Sequence, residues 1–304
     1  VSILKLLPAV QVEEIESLKE KAEDGEAAVD ELITLSRAQY QRGNYTDARF
    51  WAAAAIQRGA NTKELNYTLG MLAQSDERLE PEARLAKTIE FLSKAINQGL
   101  EDYYAYMKMA EIYGGRRDND AMIFYLNEAR RAFPTNPAPL TQLFRFYMSQ
   151  KDEAKAQHIA EQLIMLNERE FGVRGWLLDI YEAQGLDLKA ADMSLQMIYI
   201  DPFDHKPHRA RARALRNLGQ FDESLFEWEM LRRSYSRLVD GPPAVKRDGE
   251  VEALIEISRT LLEAGDLEQA REAYQDAVAF ARDHPSVRAF ATELEGDRQV
   301  DSYE

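Results

Sequence analysis

The sequence predicts an all-α fold, a stacked array of antiparallel helix pairs, and three observations predict it. Apolar residues recur at helical spacing in runs of about 12 to 16 residues, while alternating strand patterns are nearly absent. The turns between these runs share one chemistry: "RGNYTDA" at 42–48, "QGLDLKA" at 184–190, "LGQFDES" at 218–224 and "AGDLEQA" at 264–270. These turns also fall on a ruler. Gly185 and Gly219 are 34 residues apart, Lys151 lies another 34 before Gly185, and Pro134 and Pro202 are separated by two such periods, 68 residues. A fixed period of this length means that one supersecondary unit is repeated.

Taken in order, the elements begin with a lead-in helix inside residues 1–28, "VEEIESLKEKAEDGEAA", preceded by the short apolar run "VSILKLLPAV". The first repeat, 29–62, carries Leu35, Gly43, Tyr45, Ala48 and Ala55. The second, 63–102, has Leu69-Gly70 and Ala95 and holds about six extra residues in "SDERLEPEARLA". The third, 103–136, contributes Ala110, Tyr113, Ala129 and Pro134; the fourth, 137–170, contributes Leu143, Tyr147 and Ala156. Repeat five, 171–204, places Leu177, Tyr181, Gly185, Ala190 and Pro202 in register. Repeat six, 205–250, includes a loop insertion at 233–249, expected because Gly241-Pro242-Pro243 must end a helix. Repeat seven, 251–284, shows Leu254, Gly265, Ala270, Tyr274 and Ala277. A cap helix and tail, 285–304, presents an apolar face on Val287, Phe290, Ala291 and Leu294. One helix pair cannot bury its own apolar stripe, so neighbours must stack and the two ends must be solvated.

Together these positions resemble the tetratricopeptide repeat family, over about seven units. The resemblance implies a right-handed superhelix, an α-solenoid of antiparallel helix pairs, with the first helix of each pair lining a concave groove. Residues three or four apart share one helical face, and the family pattern turns a defined set of them inward. Repeats one to three then present Ile33, Arg37 and Tyr40, Tyr67 and Met71, and Tyr104 and Met107, an aromatic and apolar half with room left by Gly114 and Gly115. Repeat six presents Lys206, Arg209, Arg213, Arg216 and Asn217, with Arg145 in repeat four and Arg259 in repeat seven at the position of Arg213. Planar guanidinium groups pair two-to-two with carboxylates, which suits a peptide with an apolar and an acidic part. The competing reading is that these cations pair within the array, with Asp179 and Glu182 on one side and Glu252 and Glu263 on the other. A Lys-Asn/Asn/Lys-Arg carboxylate clamp in consecutive units is not reproduced. Repeat six also departs from the family pattern, with His208 and Arg211 where apolar residues are usual.

Composition bounds the function. Asp and Glu number 53 against 38 Lys and Arg, a formal charge of −15, which opposes general nucleic-acid binding. There is no cysteine, which excludes thiolate metal sites, disulfides and thiol nucleophiles. No apolar run is long enough to span a membrane. Phosphate-loop, zinc-helix and nucleophile-elbow motifs are absent. "DPFDHKPH" could offer Asp201, Asp204, His205 and His208 to a metal, but Asp204 is placed to cap the next helix, and no cofactor is expected. The expectation is a non-catalytic scaffold that binds a protein or peptide. Two alternatives stand beside it: a helical interaction tail of a larger bacterial protein whose catalytic or sensory domain precedes residue 1, and a homo-oligomerisation module. The compartment stays open between cytoplasm and, for an exported chain, periplasm or exterior.

Overall fold

The computed structural model describes residues 12–167, 170–236 and 242–300; the opening apolar run lies outside the described residues. Among the described residues the chain forms sixteen α-helices and no strand. It divides into two compact units, Val1–Asp152 and Glu153–Glu304. The first contains α1 (Val12–Glu23), α2 (Val29–Gln41), α3 (Tyr45–Gln57), α4 (Lys63–Gln74), α5 (Pro81–Asn97), α6 (Tyr103–Gly115), α7 (Asn119–Ala132) and α8 (Ala138–Ser149). The second contains α9 (Glu153–Leu166), α10 (Phe171–Ala183), α11 (Asp187–Ile200), α12 (His205–Asn217), α13 (Phe221–Ser236), α14 (Pro243–Glu263), α15 (Leu267–Ala281) and α16 (Pro285–Val300). The boundary between the units falls inside the segment expected as repeat four.

Within a repeat the two helices cross at small residues, and the crossing is fastened by one hydrogen bond that recurs. The Ser36 hydroxyl on α2 donates to the Ala48 carbonyl on α3 at 2.7 Å, twelve residues on. Ser258 on α14 donates to Ala270 on α15 at 2.6 Å over the same interval. Between α12 and α13 the residues are exchanged: Ser224 on the second helix donates back to Ala212 on the first at 2.7 Å. All six side chains are buried at 1% exposure or less. Any larger residue would push the backbones apart and leave a buried carbonyl lone pair and hydroxyl unpaired, each costing about 1–3 kcal/mol.

The turns explain the ruler. Gly185 and Gly219 take left-handed backbone, with φ of 65° and 73°, and their N–H groups cap the preceding helices by bonding Glu182 and Arg216 carbonyls. At the two preceding steps of the same period, Lys151 (φ 57°) and Arg117 (φ 61°) hold this conformation without being glycine. Lys151 was legible as a ruler mark; Arg117 was not, because nothing in its chemistry advertises a left-handed turn.

Two insertions behave differently from the sequence reading. The extra residues of repeat two largely lengthen α5, to 17 residues starting at Pro81, where a missing N–H costs nothing. The expected loop at 233–249 is helical at 233–236 and again at 243–249; residues 237–241 lie outside the described residues. Pro243 starts α14 rather than merely ending α13, so α14 reaches 21 residues. Its added turns pack on α13 through Gly249, where a Cβ would stand 2.4 Å from the Tyr235 ring. That ring cannot swing aside, since it stacks on His205 at 4.1 Å and its hydroxyl accepts from Arg209 at 2.9 Å.

The ends are closed by α1, whose Ile15 enters the first core with Leu32 and Leu35, and by α16, whose Val287, Phe290 and Leu294 join Val251, Leu254 and Ala277. Ile33 belongs to the first core too, and so is not a groove residue.

Two stability measurements check this account. Replacing Lys151 or Arg117 with Gly should raise unfolding free energy by about 0.5–1 kcal/mol in urea titrations, because left-handed backbone costs an L-residue about 1–2 kcal/mol and glycine's freedom in the unfolded chain returns part of it. Gly249→Ala should lower it by about 1–3 kcal/mol through overpacking against Tyr235; an unchanged midpoint would show that the ring is free to move.

Candidate functional site

The basic stripe on α12 is consumed by its neighbours. Lys206 Nζ lies 2.7 Å from Asp179 of α10 and 3.3 Å from the Gly175 carbonyl. Arg209 grips Glu252 of α14 with two bonds of 2.7 Å, Nε to Oε1 and Nη2 to Oε2. Arg213 shares the same carboxylate at 3.3 Å. Arg216 donates to Glu256 at 2.5 Å and approaches Glu263 at 3.5 Å. Asn217 donates to Asp187 of α11 at 3.0 Å. Glu256 also takes Arg259, whose other two donors hold Glu293 of α16, each at 2.9 Å. The result is an ion ladder through α10, α12, α14 and α16.

Electrostatics follow the geometry. Burial of the Arg209 guanidinium opposes its charge, but the two hydrogen bonds it donates to Glu252, with that carboxylate's charge, outweigh this and leave its pKa raised. Glu293 is held below the usual carboxylate range, chiefly by its hydrogen bonds from Arg259. Glu182, expected as a direct partner, is instead an exposed carboxyl whose pKa is raised by partial desolvation and only partly offset by Arg213, Lys206 and Arg209. The intramolecular pairing thus accounts for the sites assigned to Lys206, Arg209, Arg213, Arg216, Asn217 and Arg259. Arg145 on α8 differs: it is exposed and has no ion pair among the described residues.

The aromatic half divides as well. Tyr67 is buried in the core formed by Leu92, Ala95, Ala105 and Met109, which withdraws it from any open wall. Its hydroxyl is buried beside the Asp102 carboxyl without a well-aligned hydrogen bond, and burial drives its pKa well upward. Asp102 caps α6 by accepting from the Ala105 N–H at 2.8 Å, and its own pKa is raised by desolvation. Tyr40 leans on Tyr45, with ring centroids 5.5 Å apart, and packs on the first core. Gly114 faces Met122 of α7, so it makes room for packing rather than for a ligand; Gly115 is open.

Met71, Tyr104 and Met107 remain partly open, and they come together. They floor a cleft of about 520 Å³ between α4, α6 and α8, with Gln74, Gln142 and the ion pair of Lys108 with Glu111 around its rim. The Gln74 amide oxygen is buried at this rim with no hydrogen-bond partner among the described residues. Arg145 lies one helical turn beyond Gln142 on the same face of α8.

Comparison with known proteins bears directly on one repeat. Residues 251–284, the last thirteen residues of α14 through α15 to the start of the cap, match the tetratricopeptide repeat family. That segment is a tetratricopeptide repeat. Solved structures that it resembles include YrrB, described as a TPR protein with an unusual peptide-binding site (15% identity over 66% of this chain and 97% of that one, TM-score 0.44). Others are a tetratricopeptide repeat protein from Parabacteroides merdae (14% identity, 88% and 97% coverage, TM-score 0.41) and the C-terminal part of a repeat protein from Cytophaga hutchinsonii (13% identity, 84% and 98% coverage, TM-score 0.42). No curated protein matches the sequence.

In this helical array, repeat six carries a polar set where the family pattern has apolar residues. His208 and Glu227 are both buried, and Arg211 joins them: His208 Nδ1 lies 2.7 Å and Arg211 Nε 3.0 Å from the two Glu227 oxygens. The junction is therefore neither rotated nor loose; it is held by charge. Glu227 on α13 was missed in the sequence because a glutamate in an acidic helix carries no signal until its partner is known. Asp204 does cap α12, accepting from the Lys206 N–H at 3.0 Å.

The ladder predicts that reversing Arg209, Arg213 and Arg216 to Glu destabilises the C-terminal unit rather than leaving its fold intact. In a double-mutant cycle, Arg209→Ala and Glu252→Ala should show a coupling of about 1 kcal/mol, at or above the usual range for ion pairs because this one is bidentate and partly buried. A coupling near zero in thermal or urea unfolding would mean that the pair is ornamental.

Proposed function

We propose that this chain is a non-catalytic protein-interaction scaffold that takes an extended peptide segment in the cleft between α4, α6 and α8. The observation that carries this reading is the combination of an open apolar floor with the exposed Arg145, unpaired among the described residues, one helical turn beyond its rim. Met71, Tyr104 and Met107 offer aromatic and thioether surface that can bury a partner's apolar side chain. Arg145, unlike the arginines of repeat six, has its charge to spare and favours a carboxylate next to the apolar anchor. The partner class is a peptide with an apolar anchor and an acidic flank.

Peptides selected from a displayed random library against the full chain, then measured by calorimetry, test the proposal. The Tyr104→Ala/Met107→Ala variant should bind them at least about tenfold more weakly, a loss of ~1.4 kcal/mol. Arg145→Glu should remove the preference for acidic flanks, while Lys189→Glu, on the second unit, should change nothing. Peptides that bind the double variant as well as wild type would place recognition elsewhere.

A further inference from the structure

The buried cluster in repeat six has a chemical property that its packing role does not require. His208 points one ring nitrogen at a carboxylate and the other at a backbone carbonyl: Nδ1 is 2.7 Å from Glu227 Oε2 and Nε2 is 3.1 Å from the Pro202 oxygen. Both partners are acceptors only. A neutral imidazole carries one N–H, so it can satisfy one of them and must present a lone pair to the other; only the imidazolium donates to both. The His208 and Glu227 side chains are each 9% exposed, which leaves little water to relieve the mismatch.

We propose that the His208–Glu227–Arg211 cluster is a pH-sensitive lock on the turn joining α11 to α12, closed while His208 is protonated and released when it loses that proton. The carboxylate is the stronger acceptor, so the remaining N–H of the neutral ring stays on Nδ1 and the Pro202 carbonyl loses its donor. Glu227 keeps its charge in either state because Arg211 remains on its other oxygen and anchors itself to the Ala191 carbonyl of α11 at 2.9 Å.

The surrounding charges are consistent with this direction. Asp204 of the turn and Glu227 of α13 favour the cation; the neighbouring His205 of α12 opposes it, and Arg209, which lowers His205, is already neutralised by Glu252 of α14. Arg233 of α13, near the same cavity, is paired with Glu229 at 3.0 Å. Burial works against protonation, but the hydrogen bonds to Glu227 and Pro202 and the charge of Glu227 raise His208 above the ordinary imidazole value of 6.5. A group raised on folding contributes stability that is fully present below about pH 6.5 and lost as the pH climbs through the higher folded value. The lock therefore opens on the alkaline side.

What it releases is positioned to matter. Phe203, in the same turn, is 83% exposed. Together with Pro202, His205 and Met230 it lines a largely apolar cavity of about 490 Å³ against α13, with His208 in its wall. Freeing the Pro202 carbonyl loosens one side of that cavity.

Two measurements on the full chain test the lock. Ring nitrogen-15 shifts should report His208 as imidazolium at about pH 7, while an exposed histidine is mostly neutral there; a neutral His208 ring at that pH overturns the proposal without any mutation. Hydrogen exchange followed by mass spectrometry, corrected for intrinsic rates, should show loss of protection across 203–206 between about pH 6 and pH 8.5. In His208→Gln that pH dependence should disappear. Should this variant fold poorly, the all-apolar triple variant His208→Leu/Arg211→Leu/Glu227→Leu serves instead, since well-packed apolar residues can replace a buried ionic cluster at little cost. Flat protection in wild type, or an unchanged pH response in the variant that folds, refutes the lock.

Discussion

The close crossing of the two helices in a repeat is the contact on which the rest depends. Where Ser36 meets Ala48, Ala212 meets Ser224 and Ser258 meets Ala270, the backbones approach because neither residue has bulk, and one hydroxyl–carbonyl bond fixes the approach. That the hydroxyl can sit on either helix shows that the requirement belongs to the contact, not to a position. A hairpin set in this way offers a defined apolar stripe to its neighbours, and cores such as those around Leu35 and Phe290 follow from stacking.

Over this common scaffold the two units distribute charge differently. In the second unit, acidic and basic residues on successive first helices are matched across the stack, and the ladder from Asp179 to Glu293 absorbs a stripe that reads, in one dimension, as a polyanion grip. In the first unit the corresponding face is apolar and partly open, and Arg145 retains its charge. The most basic stretch of the chain is thus engaged within the array. A protein of formal charge −15 has carboxylates enough to neutralise its own arginines, so a free cation says more than a clustered one.

Repeat six shows the same economy inside the core. His208 and Arg211 break the apolar pattern, yet Glu227 compensates both, and the junction remains packed beneath the fully buried Trp228. Its dependence on a protonated imidazole is the cost of building a junction from charge instead of hydrocarbon.

The period, the helix pairs, the turn glycines and the resemblance to the tetratricopeptide family were written in the sequence, because small residues, left-handed turns and apolar stripes are local requirements with characteristic spacing. Sequence reasoning also identified Asp179, Glu252 and Glu263 as competitors for the arginines, and Met71, Tyr104 and Met107 as neighbours. It could not decide which would win. Tyr67 lies one helical turn from Met71 and Ile33 two turns from Tyr40, yet both are buried in their cores. Pro243 reads equally well as an end or a beginning, and only the packing of Gly249 under Tyr235 makes it the start of α14. Glu227 acquires its meaning from Arg211, 16 residues away, and Glu256 joins the ladder through Arg216, 40 residues away. Local spacing determined the architecture; the pairing of charges, which depends on distances across the stack, was decided by tertiary structure alone.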